Sequence, residues 1–180
     1  MKYLTLKVLS GVLVAAFLLT GCFDEVTKVY DGPPVVEFAQ YQQPFAPATG
    51  NANYTSTVTF GAATGSATAE LPLKLQLIAP HFDSDAAIGF EVVGERLDAD
   101  GEVVSTTTAV EGTHYNVTNA NNQAVFAANS SVTTVDVVAI ADNLSPGESV
   151  RMILMLTETN VLAPAENYKY YTVIIRKAAS

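Results

Sequence analysis

Apolar and polar residues alternate along much of this chain, and the clearest case is a run of leucines. Every second residue from Leu71 to Leu77 is leucine, and proline, lysine and glutamine lie between them. A period of two places successive side chains on opposite faces of a β-strand. The pattern predicts a strand with one face in the core and the other in water. Pro72 lies near the start of this strand, where a residue without a backbone N–H is tolerated.

Other segments rich in β-branched, aromatic or alternating apolar residues are also predicted to be strands. They cover residues 35–39, 54–60, 89–93, 103–109, 123–126, 132–140, 149–158 and 168–176. Glycine, proline, asparagine and aspartate separate them, and we see no long amphipathic helix between them. Many short strands with such turns are typical of a β-sandwich or barrel, so the predicted fold class is all-β.

The segment 150–156 differs from the others because it is apolar on both faces. Val150, Met152, Leu154 and Leu156 share one face, and Arg151, Ile153 and Met155 share the other. A strand of this kind is partly covered on both sides. We therefore predict that it is central in its sheet.

The N-terminus has the order of a secretory signal. Lys2 and Lys7 are followed by an apolar run from residue 8 to residue 19 and then by Leu19-Thr20-Gly21-Cys22. The run is shorter than the roughly 20 residues that span a bilayer. A basic start, a short apolar stretch and small residues at a cleavage point indicate a signal peptide.

Leu19-Thr20-Gly21-Cys22 resembles the lipobox of bacterial lipoproteins. That resemblance implies cleavage before Cys22 and attachment of lipid to its thiol, so that residues 1–21 are a signal peptide and residues 22–34 a lipidated tether. Residues 35–177 are then the folded domain. The expected location is the outer membrane, held by lipid, with the cell surface and the periplasmic face both open. The alternative is an ordinary signal peptide followed by a chance cysteine.

Charge and cysteine content narrow the classes of partner. The chain carries a net charge of −9 and has one cysteine. An acidic chain without a basic stripe repels phosphate backbones, so we expect no nucleic-acid partner. Because Cys22 is the sole cysteine, no disulfide can form within the chain.

The segment Thr108-Ala109-Val110-Glu111-Gly112-Thr113-His114-Tyr115 is similar to the Thr-Ala-x-x-Gly-x-Asp-Tyr signature of Calx-beta-like domains. The resemblance covers roughly residues 106–158 and implies an immunoglobulin-like sandwich. Gly112 can take a turn conformation that other residues avoid, and Tyr115 can bury its ring and bond its hydroxyl to the backbone. We expect both to be structural.

The whole layout also resembles small lipoproteins of unknown function that are encoded beside glycan-uptake systems. The shared features are the lipobox, the acidic tether, an early Val-x-Phe strand, the Gly-x-x-Tyr turn and an aromatic last strand. This resemblance implies display on the envelope and binding of a glycan or a protein partner.

Calcium is the one cofactor that the resemblance suggests, since Calx-beta domains of exchangers bind it through loop carboxylates. The candidate ligands are Asp83, Asp85, Asp142 and Glu148. Calcium needs six to eight oxygens in one place. The family's motif aspartate is His114 here, which weakens the expectation. The alternative is that these acids close turns and keep the surface charged.

The sequence has few patterns that are typical of catalytic sites, so we expect that this protein is not an enzyme. The two histidines, His81 and His114, are far apart in the sequence, and no nucleophile-elbow, phosphate-loop or paired-histidine zinc motif is present. The predicted function is a lipid-anchored, non-catalytic binding, adhesion or scaffold module of the envelope, accessory to glycan capture. The second hypothesis is a calcium-binding adhesion domain, and the third is an unrecognised hydrolase. For the tyrosines 168, 170 and 171, packing is preferred over a sugar-binding platform.

Overall fold

The computed structural model describes residues 30–39, 54–98 and 100–180. The strands within this part are β1 (Val35–Phe38), β2 (Tyr54–Phe60), β3 (Thr68–Ile78), β4 (Ala86–Val93), β5 (Glu95–Leu97), β6 (Val103–Thr106), β7 (Tyr115–Val117), β8 (Gln123–Phe126), β9 (Val132–Ile140), β10 (Ser149–Thr157), β11 (Ala163–Pro164) and β12 (Tyr170–Lys177). Two 3₁₀ turns lie at Ala120–Asn122 and Glu166–Tyr168. The predicted signal peptide, the lipobox-like segment and Cys22 lie outside the described residues.

Two five-stranded sheets face each other, which confirms the predicted all-β, immunoglobulin-like sandwich. The first sheet has the order β11-β1-β3-β9-β7, and the second has the order β2-β12-β10-β4-β8. Neighbouring strands are antiparallel except for the β1–β11 and β2–β12 pairs. A separate two-stranded hairpin, β5–β6, leaves the second sheet after β4.

The core lies between the sheets and is filled by alternate residues of their strands. In β3 the buried residues are Leu73, Leu75 and Leu77, as the period-two pattern predicted. They meet the inward residues of β10 and β12 in a single cluster. The side chains between them on β3 point outward and stay exposed.

Pro72 lies at a position in β3 where a backbone N–H is not needed for a hydrogen bond to a neighbouring strand. It faces Asp136 across the β3–β9 pair, and the amide and carbonyl of Asp136 bond away from β3, to Asn119 and Thr118. The backbone of Pro72 therefore points to the other side of β3, where β1 pairs only with residues 75–78. Proline is tolerated at such a position because no ladder bond is lost.

The loops gather at two opposite ends of the sandwich. One end holds Pro34, the β3–β4 loop and the β8–β9 loop, and we refer to it as the Pro34 end. There the carbonyl of Phe82 accepts a bond from the Asn129 amide (2.8 Å). The other end holds the β2–β3 loop, the β9–β10 loop and the C-terminus, and we refer to it as the Asp142 end. Among the described residues, no helix has the length and apolar character needed to cross a membrane.

Candidate functional site

The four candidate calcium ligands lie at opposite ends of the molecule. Asp83 and Asp85 are in the β3–β4 loop at the Pro34 end, and Asp142 and Glu148 are in the β9–β10 loop at the other end. Strand β9 runs between the two ends and has nine residues, which corresponds to roughly 25–30 Å. The two pairs cannot reach one ion, so they do not form the single site that convergence at one end of a sandwich would require.

Three of these carboxylates accept hydrogen bonds that close loops. The partners are the Ala128 amide for Asp85 (2.9 Å), the Ala67 amide and the Ser66 hydroxyl for Asp142 (3.1 and 3.0 Å), and the Ser145 amide for Glu148 (2.8 Å). Aspartate and glutamate are common in turns for this reason. In the three described ranges, no group of three or more His, Cys, Asp or Glu side chains is placed to hold a metal ion.

The Gly112–Tyr115 turn leads the chain into β7. Gly112 has φ of +74°, and its amide donates to the carbonyl of Tyr115 (2.8 Å). The Tyr115 ring is buried, with 4% of the residue exposed. Burial raises the pKa of its hydroxyl, and the charge of Glu111 raises it further. The expected backbone partner for this hydroxyl is not found among the described residues, so the ring rather than a corner hydrogen bond carries the packing.

The two histidines are as far apart as the carboxylates. His81 lies in the β3–β4 loop, and His114 lies in the turn before β7 at the other end. The Nδ1 atom of His114 accepts a hydrogen bond from the Val110 amide (2.9 Å), which fixes the ring within the turn. The turn thus places a structural acceptor where the family motif has its aspartate.

Each tyrosine of the last strand region packs against another side chain. Tyr171 is buried, bonds to the hydroxyl of Ser56 (2.6 Å) and packs 5.2 Å from the ring of Phe38. Tyr168 stacks on Tyr54, with 5.9 Å between ring centroids. Tyr170 lies under two cations, Arg96 at 5.9 Å and Lys169 at 5.6 Å from its ring centroid. These contacts favour the packing interpretation over a sugar platform.

The β5–β6 hairpin covers part of the outer face of the second sheet. Arg96 reaches Tyr170 from β5, and Ile153 and Thr172, which point outward from the sheet, are nearly inaccessible at 0% and 2%. Burial lowers the pKa of the Arg96 guanidinium, while Tyr170 and Asp98 oppose that shift. The sequence gives no signal for this contact, because it depends on how the hairpin folds back.

A shallow groove of about 330 Å³ lies on the outer face of the first sheet. Its lining residues are Glu70, Leu71, Pro72, Thr118, Asp136, Val137 and Val138. The segment after β7 forms one wall, because the Thr118 amide donates to the Asp136 carbonyl (3.0 Å). Two carboxylates and a hydroxyl here surround an apolar floor. The sequence pattern does not indicate that these residues meet, since they come from one strand pair and from the short segment after β7.

Comparison with known proteins places this chain by its fold. No family model matches it, and no curated protein does. Among solved structures, a protein of unknown function from Bacteroides ovatus is similar, with a TM-score of 0.53 and 13% identity over 79% of this chain. A candidate carbohydrate-binding protein from the same species has a TM-score of 0.49 and 7% identity over 80% of this chain.

The apo form of the Calx CBD1 domain is also among the similar structures. Its TM-score is 0.44, with 14% identity over 81% of this chain and 98% of that domain. This chain spans only 44% and 37% of the two Bacteroides proteins. At these identities a likeness concerns the fold alone. Of these three structures, only the Bacteroides ovatus protein of unknown function has a TM-score above 0.5, and what this chain shares with it is the overall fold.

Proposed function

We propose that this protein is a lipid-anchored, non-catalytic binding module of the cell envelope. The observation that carries the proposal is Leu19-Thr20-Gly21-Cys22 at the end of a basic and then apolar N-terminal segment. Acyl chains on Cys22 would bury methylene groups at about 0.8 kcal/mol each, and two or more chains give a stable anchor. A folded domain can then remain on a membrane without a spanning helix.

The start of the sandwich supports this arrangement. Strand β1 begins at Val35, which is 13 positions after Cys22. Just before it, the Tyr30 hydroxyl bonds to the Pro33 carbonyl (2.7 Å), and the Ala163 amide approaches the Pro34 carbonyl (3.4 Å). The chain therefore enters the domain at one end and along the strand direction, which suits a domain held from that end. We propose the outer membrane as its location.

The absence of catalysis is part of the proposal. His114 is bonded within a turn, and His81 lies at the opposite end of the sandwich. The two histidines therefore lie too far apart to act together at one centre. A binding role needs only a surface.

The groove on the first sheet is the candidate ligand site, and we propose a glycan as its ligand. The carboxylates of Glu70 and Asp136 and the hydroxyl of Thr118 can bond sugar hydroxyls. The groove volume lies at the lower limit of the range usual for small-ligand sites. A glycan array probed with the whole protein distinguishes glycan capture from adhesion to a protein.

Metabolic labelling with palmitate tests the anchor directly. We expect label on the natural chain, and at least a tenfold loss of label in Cys22→Ser, because serine offers no thiol for lipid. Thr27→Ala, outside the motif, is the matched control and should keep full label. Mass spectrometry of the mature protein should find an acylated Cys22 as the first residue. An unmodified thiol, or a mature chain that begins elsewhere, would refute the proposal.

A further inference from the structure

The β5–β6 hairpin exposes three apolar side chains on its outward face, beside the polar pair Glu95 and Thr106. Leu97 and Val103 are directly paired, and Val104 lies at the register shift beside them. Their exposed fractions are 41%, 50% and 48%. Arg96 and Ser105 point the other way, toward the second sheet. Projecting strands with exposed apolar side chains and open edges are prone to pairing or docking.

The tip of this hairpin is acidic. Asp98 Oδ1 accepts bonds from the amides of Asp100 and Glu102 (3.0 and 2.9 Å), so Asp98 organises the turn. The other two residues, Asp100 and Glu102, are exposed. Their charges are available to an external partner.

The hairpin leaves part of the second sheet's outer face uncovered, and the region toward the Asp142 end carries two arginines. It carries Arg151 on β10, and Ile174 and Arg176 on β12, which are neighbours in the strand register. The edge threonines Thr57 and Thr59 of β2 lie beside them, and Arg176 Nε donates to the Thr59 hydroxyl (2.8 Å). The chain has three arginines in total, and two of them lie on this surface. We call it the arginine face.

The hairpin and the arginine face are next to each other on the same side of the molecule and are complementary in character. One offers apolar residues and two free carboxylates, and the other offers Ile174 and two guanidinium groups. We propose that two copies of this chain associate through these surfaces. The hairpin of each copy docks on the arginine face of the other about a two-fold axis.

A second copy is the occupant that the charges favour. The chain has a net charge of −9, so two copies repel each other unless opposite charges are paired at the contact. Carboxylate–guanidinium pairs supply that attraction and fix the register, while the apolar residues supply buried area. A two-fold contact satisfies both hairpins at once and closes without forming a filament.

Co-capture of two differently tagged full-length copies, expressed together and extracted in a non-ionic detergent, tests this inference. We expect the natural pair to be captured together. Reversing the face (Arg151→Glu with Arg176→Glu) or the tip (Asp100→Lys with Glu102→Lys) should reduce co-capture at least fivefold. Co-expressing the face-reversed copy with the tip-reversed copy should restore it, because both contacts in the mixed pair are then again between opposite charges.

Lys74→Glu, which changes a charge on the opposite sheet, is the matched control and should leave co-capture unchanged. Circular dichroism of each variant confirms that it is folded. Three outcomes would overturn the inference: no co-capture of the natural pair, insensitivity to charge reversal, or a mixed pair no better than either reversed copy alone. Insensitivity would also reveal copies that are held together only by a shared detergent micelle.

Discussion

Gly112 is the residue whose backbone most clearly limits what can replace it. With φ of +74°, an alanine there would be strained, although no atom lies within 4 Å of where its Cβ would be. The strain alone should lower the free energy of unfolding by about 1–2 kcal/mol in Gly112→Ala. Urea denaturation measures the change.

Gly94→Ala is the matched control for that substitution. Gly94 also has open space around its Cβ position, but its φ lies outside the left-handed region. The free energy of unfolding of Gly94→Ala should stay the same or rise slightly, because alanine restricts the conformations of the unfolded chain. Equal losses in both variants would mean that the Gly112 turn does not depend on its backbone conformation.

Glu37 gives the fold a dependence on pH. It points outward from β1 and is half-buried, and this burial raises the pKa of its carboxyl above the usual value of 4.5. A raised pKa means that the group favours the folded state only below that usual value. Its contribution is lost as the pH rises through the folded-state pKa.

Glu37→Gln should therefore raise the melting temperature at neutral pH and leave it unchanged below about pH 4. Melting curves measured across that range test the sign. Glu70→Gln, at an exposed position on the same sheet face, is the control and should show no such difference. A gain at low pH that disappears at neutral pH would contradict the assignment.

For single residues, the sequence predicted which positions have special structural requirements better than it predicted what each candidate ligand does. Gly112 and Tyr115 were recognised because positive φ and a buried ring each require particular residue types. The sequence could not decide whether the candidate calcium ligands bind a metal, because an aspartate such as Asp142 is typical both of a turn and of a calcium site. Only its bonds to Ala67 and Ser66 distinguish the two.

A single side chain at its base, that of Thr107, connects the β5–β6 hairpin to the second sheet. The Thr107 hydroxyl donates to the carbonyl of Val93 (2.6 Å) and accepts from the amide of Ile153 (3.2 Å). It therefore joins the end of β4 to the middle of β10 where the hairpin leaves the sheet. Removal of this hydroxyl would break both bonds.

Thr107→Val keeps the shape of the side chain and removes both bonds. We expect a loss of about 1–3 kcal/mol in unfolding free energy, because both hydrogen bonds of the hydroxyl across this junction are lost. Hydrogen exchange at the Ile153 amide should become faster. Thr106→Val, at an exposed position one residue earlier, should change neither quantity. An unchanged exchange rate at Ile153 would show that the hydroxyl does not hold this junction.

Strand prediction was accurate where the core decides the pattern and weaker where distant contacts do. The limits of 54–60, 123–126 and 132–140 match β2, β8 and β9. The prediction that 103–109 is one strand was wrong in its second half. The amides of Thr108 and Ala109 bond to the carbonyl of Arg151 instead of extending β6. No local pattern indicates a partner more than 40 residues away.

The prediction that 150–156 lies centrally and is partly covered on both sides was confirmed. Strand β10 is third of five in its sheet, and Ile153 on its outer side is fully buried. The sequence could not say what covers it. The short strands β5, β7 and β11 were missed because each has two or three residues and little pattern of its own.

For the molecule as a whole, the separation of the carboxylates predicts the response to calcium. Asp85 and Asp142 lie at opposite ends and already accept bonds from backbone amides. Millimolar calcium should therefore shift the melting temperature by less than about 1 °C relative to a chelator. Differential scanning calorimetry makes the comparison. A shift of several degrees would show that a calcium site exists despite this arrangement.

The architecture was predictable because strand periodicity and turn residues agree along most of the chain. The order of strands in the two sheets was not, and neither was the placement of loops at the two ends. Both depend on which strands pair, as in the parallel contact of β2 with β12. The groove on the first sheet escaped prediction for the same reason.

That parallel contact also determines how the domain responds to a lengthwise pull. The chain enters near Pro34 and leaves after Lys177 at the other end, so tension applied through these points runs along the strands. Seven residues of β2 are paired side by side with seven of β12. Their hydrogen bonds lie across the direction of force and must rupture together rather than unzip one at a time. The fold should therefore resist stretching between its ends far better than peeling from an edge.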